Sequence, residues 1–241
     1  MVSNRNPIIL SLDSTVDLVE HLLARDSPAT TLIVCSTRDA FLQQLCTSMP
    51  PAEPGAVQPP PPQDDHDMSR PISLNYRFYN TIGLIAQSKK VTLAFCPSLE
   101  HFRAYISVFR RQRQSSHQQE HVNLPCRSRP VLAVLGLIAL HCDTREFSAQ
   151  GIAKNLALTV EIAVRQGVDL TLCECAVVGR ENASGSRLWD AEVPLLSGQT
   201  RVTGTESAHT GRTVKVHQIA RRCLCKEVPK SDPGKPVPNQ P

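Results

Sequence analysis

Aromatic side chains are scarce, about 4% of the 241 residues, so a core has to be built from aliphatic packing. Glycine is also thin, at 11 residues. The phosphate-cradling loop G-x-x-x-x-G-K-[ST], whose glycines let backbone amides close on phosphates while the lysine reaches the terminal one, is missing. After the first apolar stretch comes "SLDSTVDLVEHLL", with neither glycine nor lysine, and the lone "GK", Gly234 and Lys235, runs into proline. A large excess of one sign of charge is missing too: a net charge of +4 permits nucleic-acid or acidic partners without demanding them. The opening "MVSNRNPIILSLDSTVDLVE" has only a short apolar run broken by Asp13 and Asp17. That fits neither a signal peptide nor a membrane span, so a nuclear or alternatively cytoplasmic protein with no membrane partner is expected.

Cysteine is present in an odd number, nine, placed in apolar runs such as "TLIVCS" and "VTLAFC" where a thiol acts as a small hydrophobe. A disulfide framework is not expected, and the sequon at Asn182 is expected to go unused. The pairs "CEC" (Cys173, Cys175) and "CLC" (Cys223, Cys225) invite a zinc reading that His141 and Cys142 could extend. Structural zinc sites prefer C-x₂₋₄-C knuckles in turns, whereas these pairs lie in strand patterns, so buried thiols, no metal and no cofactor are expected. "HCD" gathers a base, a thiol and a carboxylate, but triads are assembled in space rather than by adjacency. Neither G-x-S-x-G nor G-x-G-x-x-G occurs, although an unrecognised small enzyme stays among the alternatives.

The apolar pattern alternates strand and helix. "PIILSLD" reads as a strand, with Ser14 and Asp17 as a capping box for "TVDLVEHLLAR". "TTLIVCS" is a second strand before the helix "TRDAFLQQLCTS", which shows Phe41, Leu42 and Leu45 on one side. Leu74, Phe78, Ile82 and Ile85 have helical spacing, "KVTLAFC" is a third strand, and Ser98 caps "LEHFRAYISVFRRQR", with Leu99, Phe102, Ile106 and Phe109 as its stripe. "PVLAVLGLIALHCDT" reads as a strand buried on both faces. The helix "EFSAQGIAKNLALTVEIAVRQG" then faces Ile152, Leu156, Val160 and Ala163 inward and stops at Gly167. "VDLTLCECAVV" is a fifth strand, and "RLWDAEVPLLSGQTRVTG" and "GRTVKVHQIARRCLCKE" read as antiparallel strands added to the sheet edge. One domain over residues 1–228 is expected, with disordered insertions at about 49–71 and 113–129 and a disordered tail at 229–241.

The segment from Val131 to Ala176 carries a resemblance. "VLAVLGLIAL", "HCDTREF", "SAQGIAKNLALTVEIAVRQ" and "GVDLTLCECA" follow the order of the RecA-like recombinases and their paralogues: buried strand, loop, helix with a Ser-Ala-Arg-Gln-like entry, Gly-Val turn, strand. The closing "GRTVKVHQIARRC" is similar to the family's final strands. The resemblance implies an α/β, RecA-like three-layer fold with a mainly parallel central sheet and antiparallel strands at the carboxyl end. It also implies where the family's chemistry has gone: Leu135 stands where the acidic magnesium ligand would be, and Cys175 at the polar end of the next strand. With the phosphate loop absent as well, phosphoryl transfer loses the groups that position and neutralise phosphate. The small subunits of the fungal Shu complex and the accessory subunits of Elongator are such degenerate folds. A non-catalytic subunit of a DNA-repair or recombination assembly is therefore expected, hetero-oligomeric with another RecA-like subunit and contacting DNA. The alternative is a tRNA-binding, tRNA-modification assembly.

In that family the loops after the fourth and fifth strands face DNA. The matching stretches are "HCDTREF", with Arg145, and "VVGRENASGSRLW", with Arg180 and Arg187 before the lone Trp189. An ordinary solvated loop explains the same composition, and a tryptophan packs into a core edge more often than it stacks on a base. Arg110, Arg111 and Arg113, with Arg127 and Arg129, form the densest basic cluster. They suit phosphate or an acidic partner, and equally the negative end of the preceding helix dipole.

Overall fold

Ser14 and Ser98 start helices as their sequence context dictates. Each sits in extended backbone, and its hydroxyl accepts the N–H of the residue three places on, Asp17 at 3.1 Å and His101 at 3.3 Å. Ser14 also donates to the Asp17 carboxylate at 2.8 Å. The computed structural model describes residues 7–48, 82–111, 128–177, 180, 183–196 and 212–224. Within them the chain runs β1 (Ile8–Leu10), α1 (Thr15–Ala24), β2 (Thr30–Val34), α2 (Arg38–Ser48), α3 (Ile82–Ser88), β3 (Val91–Phe95), α4 (Leu99–Val108), β4 (Val131–Leu135), α5 (Leu137–Cys142), α6 (Ala149–Gln166) and β5 (Asp169–Cys173). A 3-10 turn (Ser186–Asp190), β6 (Glu192–Pro194), β7 (Thr213–Lys215) and α7 (Val216–Leu224) complete it.

Five strands form one parallel sheet in the order β3-β2-β4-β5-β1. β4 and β5 are buried at every position, as central parallel strands must be when helices cover both faces. Alternate residues serve the two faces. Leu32, Val34, Val131, Ala133, Leu135 and Cys173 pack under Leu18 and Leu22 of α1 and Phe41 of α2. Ile33, Leu132, Val134, Leu170 and Leu172 pack under Phe102 and Ile106 of α4, Ile152, Leu156 and Ile162 of α6, and Ile219 of α7. The result is the three-layer α/β class that the resemblance implied.

Several local expectations are corrected. The apolar run from Pro130 is not one strand: β4 ends at Leu135, Gly136 turns at φ +77°, and "LIALHC" coils into α5. A strand and a buried helix are indistinguishable by apolar content alone, and the glycine was the signal. The helix after Ser98 stops at Val108, with Phe109 in extended backbone, so Arg110 and Arg111 lie beyond it rather than on its last turn. The closing strands reduce to β6 and β7, which pair with each other in a separate antiparallel sheet rather than joining the main edge. "VHQIARRCL" is helix α7, so Cys223 sits on a helix. Of the stripe foreseen on α2 only Phe41 is buried, and Leu42 is exposed. Ile82 and Ile85 are exposed on α3. Leu74 and Phe78, the bulk of both insertions, the tail, Asn182, Arg113, Arg127 and Cys225 lie outside the described residues. Among the described residues no helix is long and apolar enough to cross a membrane.

Candidate functional site

The strand order sets where a ligand could sit. From β1 the chain crosses to β2 and β3 toward one edge, then returns to β4 and β5 toward the other. The carboxyl ends of β2 and β4 are therefore neighbours whose connections leave in opposite directions. Such a topological switch point opens a crevice in parallel α/β sheets. A cavity of about 580 Å³ lies there, lined by Cys35 and Ser36 after β2, Ser98 and Glu100 after β3, Gly136 after β4, and Cys175 and Val177 after β5. Asp143, Arg145, Glu146 and Arg180 stand around it.

Of the eight arginines foreseen, the structure brings two to this cleft. Arg145 is exposed there. Arg180 pairs with Asp143 at 2.5 Å, both side chains more than half exposed. Arg187 is exposed in a neighbouring groove with Ser11 of the β1 end, Trp189 and His217. Arg110 and Arg111 follow α4, which runs back to the amino ends of the strands, and the backbone N–H of Arg111 donates to Gln166 at the end of α6. They are thus a sheet-length away from Arg145 and Arg180. Trp189 is buried in the core, so it packs rather than offering its ring to a base.

Two polar features behind the cleft were missed at the sequence level. Glu174, between the two cysteines of "CEC", is buried, and its carboxylate accepts the backbone N–H groups of Ile138 at 2.6 Å and Ala139 at 3.2 Å. Burial pushes its pKa up to about 8, against the pull of these two bonds. Its neighbours face the other way: the sulfurs of Cys173 and Cys175 lie 3.6 Å apart under α1. The Cys175 thiol is raised well above the ordinary range by its bond to Cys173 and by burial. Burial likewise raises Cys35, and pushes Cys142 up to about 11, so these thiols are poor nucleophiles.

The second feature ties the cleft loop to the helices. Arg103 of α4 donates through Nη1 to Glu146 at 2.9 Å, through Nη2 to the same carboxylate, and through Nε to Asn155 Oδ1 at 2.9 Å. That bond fixes the Asn155 amide so that its Nδ2 donates to His141 Nε2 at 2.9 Å. His141 Nδ1 then donates to the Glu146 carbonyl at 3.2 Å. His141 is fully buried and its pKa is lowered by burial, so it is neutral here. Each member holds a partner, and the loop from Asp143 to Ser148 is held by α4, α5 and α6 together. Helical spacing of His141 and Glu146 against Asn155 gave no sequence signal, because the contacts cross elements.

Among the described residues no group of three His, Cys, Asp or Glu side chains is placed to hold a metal ion. No protein-family model matches this chain, and neither a curated protein nor a solved structure does.

Proposed function

We propose that the protein is a non-catalytic RecA-like subunit of a homologous-recombination or DNA-repair assembly, working beside a similar subunit and contacting DNA at the carboxyl end of its sheet. One observation carries this reading: Arg145, from the loop between α5 and α6, and Arg180, from the segment after β5, stand around a single cleft at the carboxyl strand ends. Loops at that end of an open sheet meet ligands, and guanidinium groups on exposed loops suit phosphate backbones. On the resemblance to RecA-like recombinases, Leu135, Cys175 and "SLDST" stand where the groups that hold a nucleotide for hydrolysis would be. The same arrangement suits tRNA, which makes a tRNA-modification subunit the alternative. An enzyme using the cleft is a further reading, favoured by its volume and its mixture of carboxylates, hydroxyls and arginines.

The test is fluorescence anisotropy of labelled single-stranded DNA, duplex DNA and tRNA against the full chain over a salt series. DNA binding is expected, and Arg145→Glu with Arg180→Glu should lower the salt slope by about one per lost phosphate contact. Binding that ignores both substitutions, or the absence of salt-sensitive binding, sinks the reading. Preference for tRNA moves it to the alternative.

A further inference from the structure

β3 ends the sheet on its side: among the described residues it pairs with β2 and nothing else. Its hydrogen bonds identify the leftover backbone groups. The Lys90 carbonyl accepts from Thr30, and the Cys96 N–H donates to Val34, both at 2.8 Å, so even-numbered residues turn toward β2. In a parallel strand the N–H and C=O of Val91, Leu93 and Phe95 therefore point outward along the open edge. Leu93, at the midpoint, is 45% exposed, and Ile82 and Ile85 of α3 are 88% and 48% exposed. Edges are usually blunted by lysine, proline or a bulge within the strand, and "VTLAF" contains none of the first two. The two ends of this edge carry opposite charge. Lys89 and Lys90 precede β3, and Glu100 lies in the first turn of α4 beyond its far end.

We propose that a second copy of this chain docks on this edge, the two β3 strands pairing antiparallel about a two-fold axis through the two Leu93 residues. Leu93 then exchanges both backbone bonds with its own copy, and Val91 lies opposite Phe95 on each side. The axis is normal to the sheet, so both α1/α2 faces fall on the same side and the two exposed Leu93 side chains cover one another. The antiparallel direction carries Lys89 and Lys90 of each chain past the carboxyl end of the other β3, toward its Glu100. Parallel pairing would set lysine beside lysine, which is repulsive. The exposed midpoint and the opposite-signed ends make the edge self-complementary, as an isologous contact requires.

Sedimentation velocity of the full chain over a micromolar concentration series tests this. A dimer is expected, weakened about tenfold or more by Leu93→Lys, with circular dichroism confirming that the variant is folded. Lys90→Glu should weaken it as well, and Lys90→Glu combined with Glu100→Lys should restore it. A wild-type monomer at tens of micromolar, a dimer indifferent to Leu93→Lys, or a charge swap that fails to restore association overturns the proposal. A monomer that captures a different α/β subunit through the same edge overturns the second-copy pairing and leaves the proposed function standing. A dimer that binds no nucleic acid does the reverse.

Discussion

The Glu174 carboxylate accepts the backbone N–H of Ile138 at 2.6 Å, joining the end of β5 to the start of α5. α5 begins straight after a left-handed glycine, Gly136, which has no side chain to cap it. Its first N–H groups are buried against the sheet, and Glu174 supplies the acceptor they lack. Glu174→Ala leaves those donors unsatisfied, at a cost of about 1–3 kcal/mol in urea unfolding. Glu174→Gln, which still accepts at one oxygen, should cost less.

Glu174 also sets a pH dependence. Its folded pKa of about 8 stands above the unfolded value of about 4.3, so between these the folded chain keeps a proton that the unfolded chain has released. Stability therefore falls as pH rises from about 4.3 toward 8, by at most about 1.4 kcal/mol per pH unit. Urea midpoints at pH 5.5 and 8 should show this slope in the wild type and lose it in Glu174→Gln. An unchanged slope would mean that Glu174 ionises in the folded protein.

His141 acts in the opposite sense. Its folded pKa is lowered, so as pH falls below the unfolded value near 6.5 the unfolded chain takes up a proton that the folded one refuses, and stability drops. His141→Gln should flatten this acid limb. Asn155→Ala, which removes the donor to buried His141 Nε2, should cost about 1–3 kcal/mol at pH 7.5.

Gly151 and Gly167 should respond differently to substitution. A Cβ on Gly151 would overlap the Glu146 carbonyl, which is backbone and cannot rotate away. Gly151→Ala is expected to cost about 1–3 kcal/mol and to disturb the cleft loop. Gly167 has open space and a φ of +65°, so Gly167→Asn, which tolerates that conformation, should cost less than Gly151→Ala in the same thermal melts.

The Arg180–Asp143 pair is mostly solvated, and such pairs contribute about 0–1 kcal/mol. Arg180→Ala should leave the melting temperature nearly unchanged. A large loss of stability would show that this loop is held by the ion pair rather than by the Arg103–Glu146 network.

Much of the parallel core was legible because its signals are local. Ser14, Ser98 and Gly167 act within one turn of helix, and the strand runs "TTLIV" and "DLTLC" announce burial on both faces. "LGLIAL" misleads because apolar content does not separate a buried strand from a buried helix; the left-handed Gly136 does. "VHQIARRCL" misled in the same way: β-branched residues suggested strand, but Val216, Ile219, Ala220 and Leu224 bury one helical face against α6. Strand order was not legible, so the separation of Arg110 and Arg111 from Arg145 and Arg180 could not be foreseen. Glu174 was hidden between two thiols that drew attention to themselves, and the Arg103–Glu146–His141–Asn155 network joins elements that are distant in sequence.

Among the described residues β1 pairs only with β5, Ile8 opposite Thr171. β1 must therefore wait for β5, which is made after β2, β3 and β4, while those three are free to assemble first. Until Thr171 and its neighbours emerge, β1 has no strand to pair with, although α1 can already settle on β2 and α2. So large a loop closure slows folding and lengthens exposure of sticky surface. Nascent chains halted before Asp169 should engage holding chaperones through β1, and release them only once β5 has been made.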